Sequence, residues 1–384
     1  STKRVFYLDN IRFCASFLVI LGHSHPEYAA GMSPEGLTQA GIWPSLFGLM
    51  SSPSSELFMT ISGAILLPVR IPDKEFFKKR FSKVLFPLLI WSLIYLAAGL
   101  GPKDRTAVES LLALPFTPVL DVFWFMYVIC GLYLFAPIIS KWILDDNRAS
   151  MGSIWVIWTF ISFLPLLNLI SPGFYNSQGS HYFVLNSFGG FLGYMVLGTY
   201  LKRYQTSVSR SRFLTCCAAV LLFSALLFVL RSFLHILPAG FIYDNLCFIS
   251  IVYVYTIFTI IQYASRFITR VQPVFTELSK HSFGIYLSHI LIIHFITQPL
   301  ISSLALPPYA AIPLMAVITY LCCYISIKLL TFLPKSKYIV AYEKSGPHDS
   351  MFPSLSPGIE HSAVTRGKVP IIHSSIPCRS ISIP

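Results

Sequence analysis

The chain alternates long apolar runs with short polar segments, most of them basic. Apolar windows fall at 6–26, 45–67, 82–100, 121–140, 151–170, 182–201, 213–234, 240–263, 282–301 and 309–332. About 20 residues of helix cross the hydrocarbon core of a bilayer. A helix in lipid satisfies its own backbone, whereas an isolated strand does not. The pattern predicts an all-α fold, a polytopic integral membrane bundle of about ten transmembrane helices.

Composition supports that reading. Of the 384 residues 55% are hydrophobic and only 11% are charged, against roughly 25% charged in soluble domains. A water-soluble globule is excluded. The net charge of +12 sits largely in the short connecting segments. With the N-terminus in the cytoplasm, 24 of the 28 Lys and Arg fall on the inner side; only Lys103, Arg105 and Arg231 fall outside, and Arg12 lies within a span. Positive residues favour the cytoplasmic side, so both termini are expected to be cytoplasmic. The excess charge is then an orientation signal. No basic stripe interleaved with aromatics marks a nucleic-acid surface, so no nucleic-acid partner is expected.

From about 335 the chain turns to Ser, Pro, His and Gly without a clear period. The expected division is a transmembrane domain over 1–334 and a disordered cytoplasmic tail over 335–384. Lys3 and Arg4 precede an apolar run as in a signal peptide, but Asp9 and Arg12 within the run predict a retained first helix. Seven of the eight cysteines lie in apolar segments and none forms a CxxC pair. They read as small packing residues.

Ionisable groups inside a bilayer are costly and mark candidate functional positions. The first span carries Asp9, Arg12 and His23. Arg12 and His23 are 11 residues apart, close to a whole number of turns, so they share a face about 16 Å apart along the axis. Asp9 and Ser16 fall on this face too. One reading is a polar track, with Arg12 facing an anion and His23 acting as a base. The other is an Asp9–Arg12 pair anchoring the helix end, with His23 at the interface. His23 and His25 form an HxH pair without a third ligand, so no metal site is expected. Glu56 lies in the polar stretch SSPSSELFMTISG, near the middle of the second span; Ser62 and Gly63 suit close helix packing. The loop RIPDKEFFKKRFSKVLFP carries six cations. Topology explains them, and they also suit a polyphosphate donor. In the ninth span Tyr286 and His289 share a face, while His294 points elsewhere and reads as packing. Trp124 and Tyr127 read as interfacial anchors or packing residues.

Together these residues resemble the acyltransferase-3 family of membrane acyltransferases. LDNIRFCASFLVILGHS resembles the family's opening motif, an Arg and a His separated by ten residues, at Arg12 and His23. SELFMTISGAIL resembles its acidic, aromatic and Ser-Gly segment at Glu56, Phe58, Ser62 and Gly63. FFKKRFSKVLFP resembles its basic loop at Arg80. FWFMYVICGLYLFAPII and SFGIYLSHILII resemble later helices, the second at Tyr286 and His289. The similarity runs from about 5 to 333. Met59 replaces a usual second Phe, and Lys83 stands where a second Arg is common. The extracytoplasmic hydrolase-like domain of some relatives is not expected here, so acceptor transfer is expected within the membrane domain.

The resemblance implies transfer of an acyl group, commonly acetyl from acetyl-CoA, to a hydroxyl of a cell-envelope glycan or lipid-linked sugar in a bacterial inner membrane. No bound cofactor is expected; acyl-CoA is a co-substrate, and the remaining partners are the acceptor and membrane lipid. His23 and Glu56 are the expected catalytic residues, with His23 as general base or transient acyl carrier. Arg12, Arg80, Tyr286 and His289 are the expected donor-binding residues. A transporter or flippase for a glycan or small metabolite is the alternative, since intramembrane polar residues also line transport paths; no internal repeat supports it. A structural subunit is a third reading, against which the polar track of the first helix argues.

Overall fold

The computed structural model describes residues 5–30, 42–144, 158, 160, 162, 163, 190–232 and 248–340. Every element among them is helical: α1 (Phe6–Ala30), α2 (Trp43–Ser51), α3 (Ser54–Leu66), α4 (Asp73–Ala97), α5 (Ala107–Ala113), α6 (Trp124–Leu144), α7 (Phe191–Tyr204), α8 (Arg210–Ser232), α9 (Phe248–Ala264), α10 (Gln272–Ile292), α11 (Gln298–Ser303), α12 (Pro308–Leu330) and α13 (Lys337–Val340). A 3-10 turn, Asp121–Phe123, leads into α6, and a π turn, Ile293–Thr297, joins α10 to α11.

The helix starts follow from local chemistry. Asp73 and Glu75 sit in the first turn of α4, where a carboxylate meets the positive end of the helix dipole. Pro residues open α10 and α12, where the missing N–H costs nothing. Among the described residues five stretches are long and apolar enough to cross a membrane: Asp73–Ala97, Asp121–Ile143, Arg210–Leu230, Gln272–Ser303 and Pro308–Leu330. Their outward faces are apolar. Leu221, Leu222 and Leu226 on α8 and Leu321, Ile325 and Leu329 on α12 are all exposed, as lipid-facing positions are. The described residues are all-helical, and the chain is an integral membrane protein.

The window 45–67 does not form one span. It is broken at Ser52-Pro53 into α2 and α3, because proline has no N–H to continue the helix and clashes with the preceding turn. The window 182–201 is described from residue 190 onward, where α7 lies. The window 151–170 falls almost wholly outside the described residues, as does the segment 341–384. Before that point α13 packs on α4: the Trp91 indole donates to Ile339 O at 2.9 Å, and Phe86 meets Tyr338.

α1 is the central helix, packed against α2, α3, α9, α10 and α12. The closest seam joins α3 to α7. A β-carbon on Gly63 would lie 2.0 Å from Met195 O, and one on Gly198 would lie 1.7 Å from Thr60 O. Small residues let helix backbones approach this closely. Thr199 Oγ1 donates to Gly63 O at 3.0 Å across the seam. The expectation of close packing at Gly63 is met.

Candidate active site

Helical spacing makes Arg12 and His23 point the same way, and both line one cleft. The cleft is partly open, and its space not filled by protein atoms, open solvent included, is about 770 Å³. α3 contributes Ser54, Ser55, Phe58 and Ser62; α10 contributes Ser282, Phe283 and Tyr286. The 3-10 turn and α6 close it with Val122, Trp124, Phe125, Ile129 and Tyr133. The walls are mostly aromatic and apolar, with Arg12, His23 and four serine hydroxyls as the polar groups.

Arg12 does not stand alone. Its guanidinium is 3.8 Å from Asp9, and the two side chains are only 12% and 7% exposed. Asp9 also accepts from Ser279 Oγ at 3.2 Å and Thr276 Oγ1 at 3.4 Å. The anchoring reading therefore holds for Asp9, while Arg12 both pairs with it and faces the cleft. Ser16 leaves the track: it bonds Phe13 O and lies 3.2 Å from the Tyr320 hydroxyl. The predicted four-residue track is reduced to Arg12 and His23, because α10 and α12 cover the rest of that face.

His23 Nδ1 lies 2.8 Å from Val19 O. A carbonyl oxygen only accepts, so Nδ1 carries a hydrogen, and in the neutral ring Nε2 is then a lone pair. The ring meets His289 of α10, centroids 4.9 Å apart at 64°. His289 is 0% exposed, and it lies behind His23 and off the cleft wall. The Tyr286 ring lines the cleft, but its hydroxyl donates to Val122 O at 2.5 Å. Tyr286 can thus offer a ring face to a ligand, while its hydroxyl is engaged in holding α10 to the entry of α6.

Glu56 and Arg80 are both buried, at 0% and 2% exposure, and neither lines the cleft. Glu56 sits in the first turn of α3, not in the middle of a long span, because the break at Pro53 starts a new helix there. Arg80 lies with its guanidinium carbon 5.8 Å from the Phe76 ring, and Phe76 packs on Tyr133 of the cleft wall. Its burial withdraws it from direct contact with a ligand in the cleft. His294 is exposed, edge-on to Phe295, and not internally packed. The side chain of His25 lies outside the described residues.

Trp124, expected as an anchor or packing residue, is a wall of the cleft. Phe125, Phe283 and Ser282 were also missed; their sequence gives no sign that separates cleft-facing from lipid-facing aromatics. Tyr127 bonds Leu114 O and holds the loop before α6.

Compared with known proteins, residues 5–328 match the family model described as an acyltransferase domain. Neither a curated protein nor a solved structure matches the chain.

Proposed function

The chain belongs to the acyltransferase-3 family, and from that premise we propose that it moves an acyl group, acetyl in the first instance, from acyl-CoA to a hydroxyl of a cell-envelope glycan or lipid-linked sugar. The proposal includes ten spans with both ends in the cytoplasm and residence in a bacterial inner membrane. One observation carries the reading: Arg12 and His23 line the same aromatic cleft, about 16 Å apart along α1.

In this reading Arg12, nearer the cytoplasmic end of α1, receives the anionic donor. Arg80 adds positive potential through its buried charge, without touching the phosphates. The aromatic walls exclude water, which would otherwise take the acyl group. The Tyr286 ring and the serine hydroxyls position the pantetheine arm. A sugar hydroxyl is a poor nucleophile until a base takes its proton. His23 presents the bare Nε2 that this step needs. The hydroxyl oxygen bonds the acyl carbonyl carbon, its proton passes to Nε2, the C–S bond breaks, and the proton leaves on the CoA thiolate. Glu56 supplies buried negative charge that offsets the imidazolium.

The test is turnover of labelled acetyl-CoA by the purified protein in detergent, with a panel of longer acyl-CoAs beside it. Release of free CoA, with the donor KM raised in Arg12→Ala, is the expected result. Silence with every acyl-CoA would overturn the proposal in favour of transport.

A further inference from the structure

Ser54, Ser55, Phe58 and Ser62 form the wall that α3 gives to the cleft. Most hydroxyls in this stretch turn back onto a helix carbonyl: Ser51 donates to Gly48 O, Ser52 to Leu49 O, Thr60 to Glu56 O and Ser62 to Phe58 O. Ser54 and Ser55 make no side-chain hydrogen bond among the described residues. They open a new helix, and the break at Pro53 leaves no continuous turn behind them to accept. Ser54 is nevertheless only 9% exposed. A hydroxyl so buried and without a partner is costly unless a partner arrives during function. The backbone beside it is in the same state. No side-chain cap is made at Pro53, and the first bond into the helix runs from Leu57 N–H to Pro53 O at 3.0 Å. The N–H groups of Ser54, Ser55 and Glu56 precede that bond and have no acceptor within the helix. They form the positive end of the α3 dipole. This end lies at the level of His23. A β-carbon on Gly22 would fall 3.0 Å from Ser51 Oγ, which puts the α2–α3 junction beside the residue before His23. His23, Ser54 and Ser55 line the same cleft. Glu56 is two residues beyond Ser54, about 200° around the helix, and lies off the cleft wall.

Resting on the reading of this cleft as the place of acyl transfer with His23 as base, we propose that Ser54 is a catalytic residue: its hydroxyl, backed by the N-terminus of α3, forms the oxyanion site for the acyl carbonyl. The acceptor oxygen bonds the carbonyl carbon while its proton passes to His23 Nε2. The π pair of the C=O bond moves onto the carbonyl oxygen. Ser54 O–H donates to that oxygen, and the positive end of α3 favours its negative charge. The pair then returns to re-form C=O, the C–S bond breaks, and the thiolate takes the proton from His23. Ser54 keeps its own proton throughout. A donor already in place, inside aromatic walls, needs no reorganisation when the charge develops, and such donors act most strongly where water is excluded.

Two measurements test the oxyanion site. The first is transfer from labelled acetyl-CoA by wild type, Ser54→Ala and Ser54→Thr. The kcat of Ser54→Ala is expected to fall on the order of 10²-fold with the acetyl-CoA KM little changed, because the oxyanion exists only between substrate and product. Ser54→Thr keeps a hydroxyl and is expected to regain part of that kcat. A raised KM at constant kcat would make Ser54 a contact for the pantetheine arm. An acyl group trapped on Ser54 would make it a carrier, and equal losses in both variants would make it structural. Each of these contradicts the oxyanion site. The second measurement needs no turnover. It is calorimetric binding of two CoA derivatives in which a trifluoromethyl ketone or a methyl ketone replaces the acetyl thioester. The trifluoromethyl ketone hydrates to a tetrahedral, acidic form that imitates the oxyanion, and the methyl ketone stays trigonal. Wild type is expected to bind the trifluoromethyl ketone tighter by on the order of 10²-fold. Ser54→Ala is expected to lose most of that preference while binding the methyl ketone as wild type does, which also shows that it is folded. An unchanged preference overturns the oxyanion site. A wild type silent with every acyl-CoA, yet preferring the trifluoromethyl ketone through Ser54, would count against the proposed function alone. A wild type that binds neither ketone and turns over no donor would remove both.

Discussion

Gly198 of α7 approaches Thr60 of α3 so closely that a β-carbon on the glycine would fall 1.7 Å from the Thr60 carbonyl oxygen. Gly63 repeats the relationship one turn along, against the Met195 backbone. α3 also carries Ser54, Ser55, Phe58 and Ser62 to the cleft. The seam between these helices therefore sets where one wall of the cleft stands.

Gly198→Ala is expected to destabilise the protein, although alanine is the better helix former by about 1 kcal/mol. The contact is with backbone, which cannot turn aside, and overpacking costs about 1–3 kcal/mol. A β-carbon on Gly284 would meet only the Ile327 side chain, at 2.7 Å, and that chain can change rotamer. Thermal unfolding in detergent should rank wild type above Gly284→Ala and Gly284→Ala above Gly198→Ala. A Gly198→Ala protein as stable as wild type would contradict the close seam.

Tyr286→Phe keeps the ring on the cleft wall and removes the hydroxyl that donates to Val122 O. The carbonyl is then left without that donor, a loss of about 1–3 kcal/mol. The expected outcome is a lower melting temperature with the donor KM unchanged. A large rise in KM at unchanged stability would show that the hydroxyl itself binds the donor.

Asp9→Asn leaves the size of the side chain but removes its charge beside Arg12. Breaking a buried pair by removing one partner costs about 3–5 kcal/mol, and Ser279 and Thr276 lose a charged acceptor as well. The melting temperature should fall, and the donor KM should change because the charge pairing that helps place Arg12 is lost. Steady-state kinetics and unfolding measured together check this; wild-type values in both would remove Asp9 from the account of how Arg12 is placed.

Lys202 lies just beyond the window 182–201 and donates to Ala64 O at 2.7 Å, near the end of α3. Burial, with Arg70 nearby, pushes its ammonium down to about 8 from 10.5. Between those values the unfolded chain binds more protons than the folded one, so stability contributed by this group rises with pH. Below about 8 the cost of burying the charge is fully present. The stability of wild type relative to Lys202→Met is expected to improve as pH rises from 8 to 10.5. A difference that is flat or falls over that window would contradict the burial of the charge.

The long apolar helices were legible because a run of 20 apolar residues has few alternatives to a span. The break at Ser52-Pro53 was averaged away by the width of the window, although the proline was in plain view. Helix α5 has seven residues, too few for an apolar window to register. In the site, Arg12 and His23 were legible because both lie on one helix, where 3.6 residues per turn fixes their relation. Their relation to other helices was not. That Ser16 would turn to Tyr320, or that His289 would meet His23, depends on how α1, α10 and α12 slide past one another, which the spacing within one helix does not encode. Trp124 and Phe125 were missed because aromatic residues facing a cleft and those facing lipid look alike in sequence.

The most direct test of the central claim is transfer of labelled acetyl-CoA by wild type and His23→Ala, purified in lipid and matched for melting temperature. The account predicts that acyl transfer falls by at least about 10²-fold in His23→Ala while the donor still binds. Full transfer by His23→Ala would contradict it.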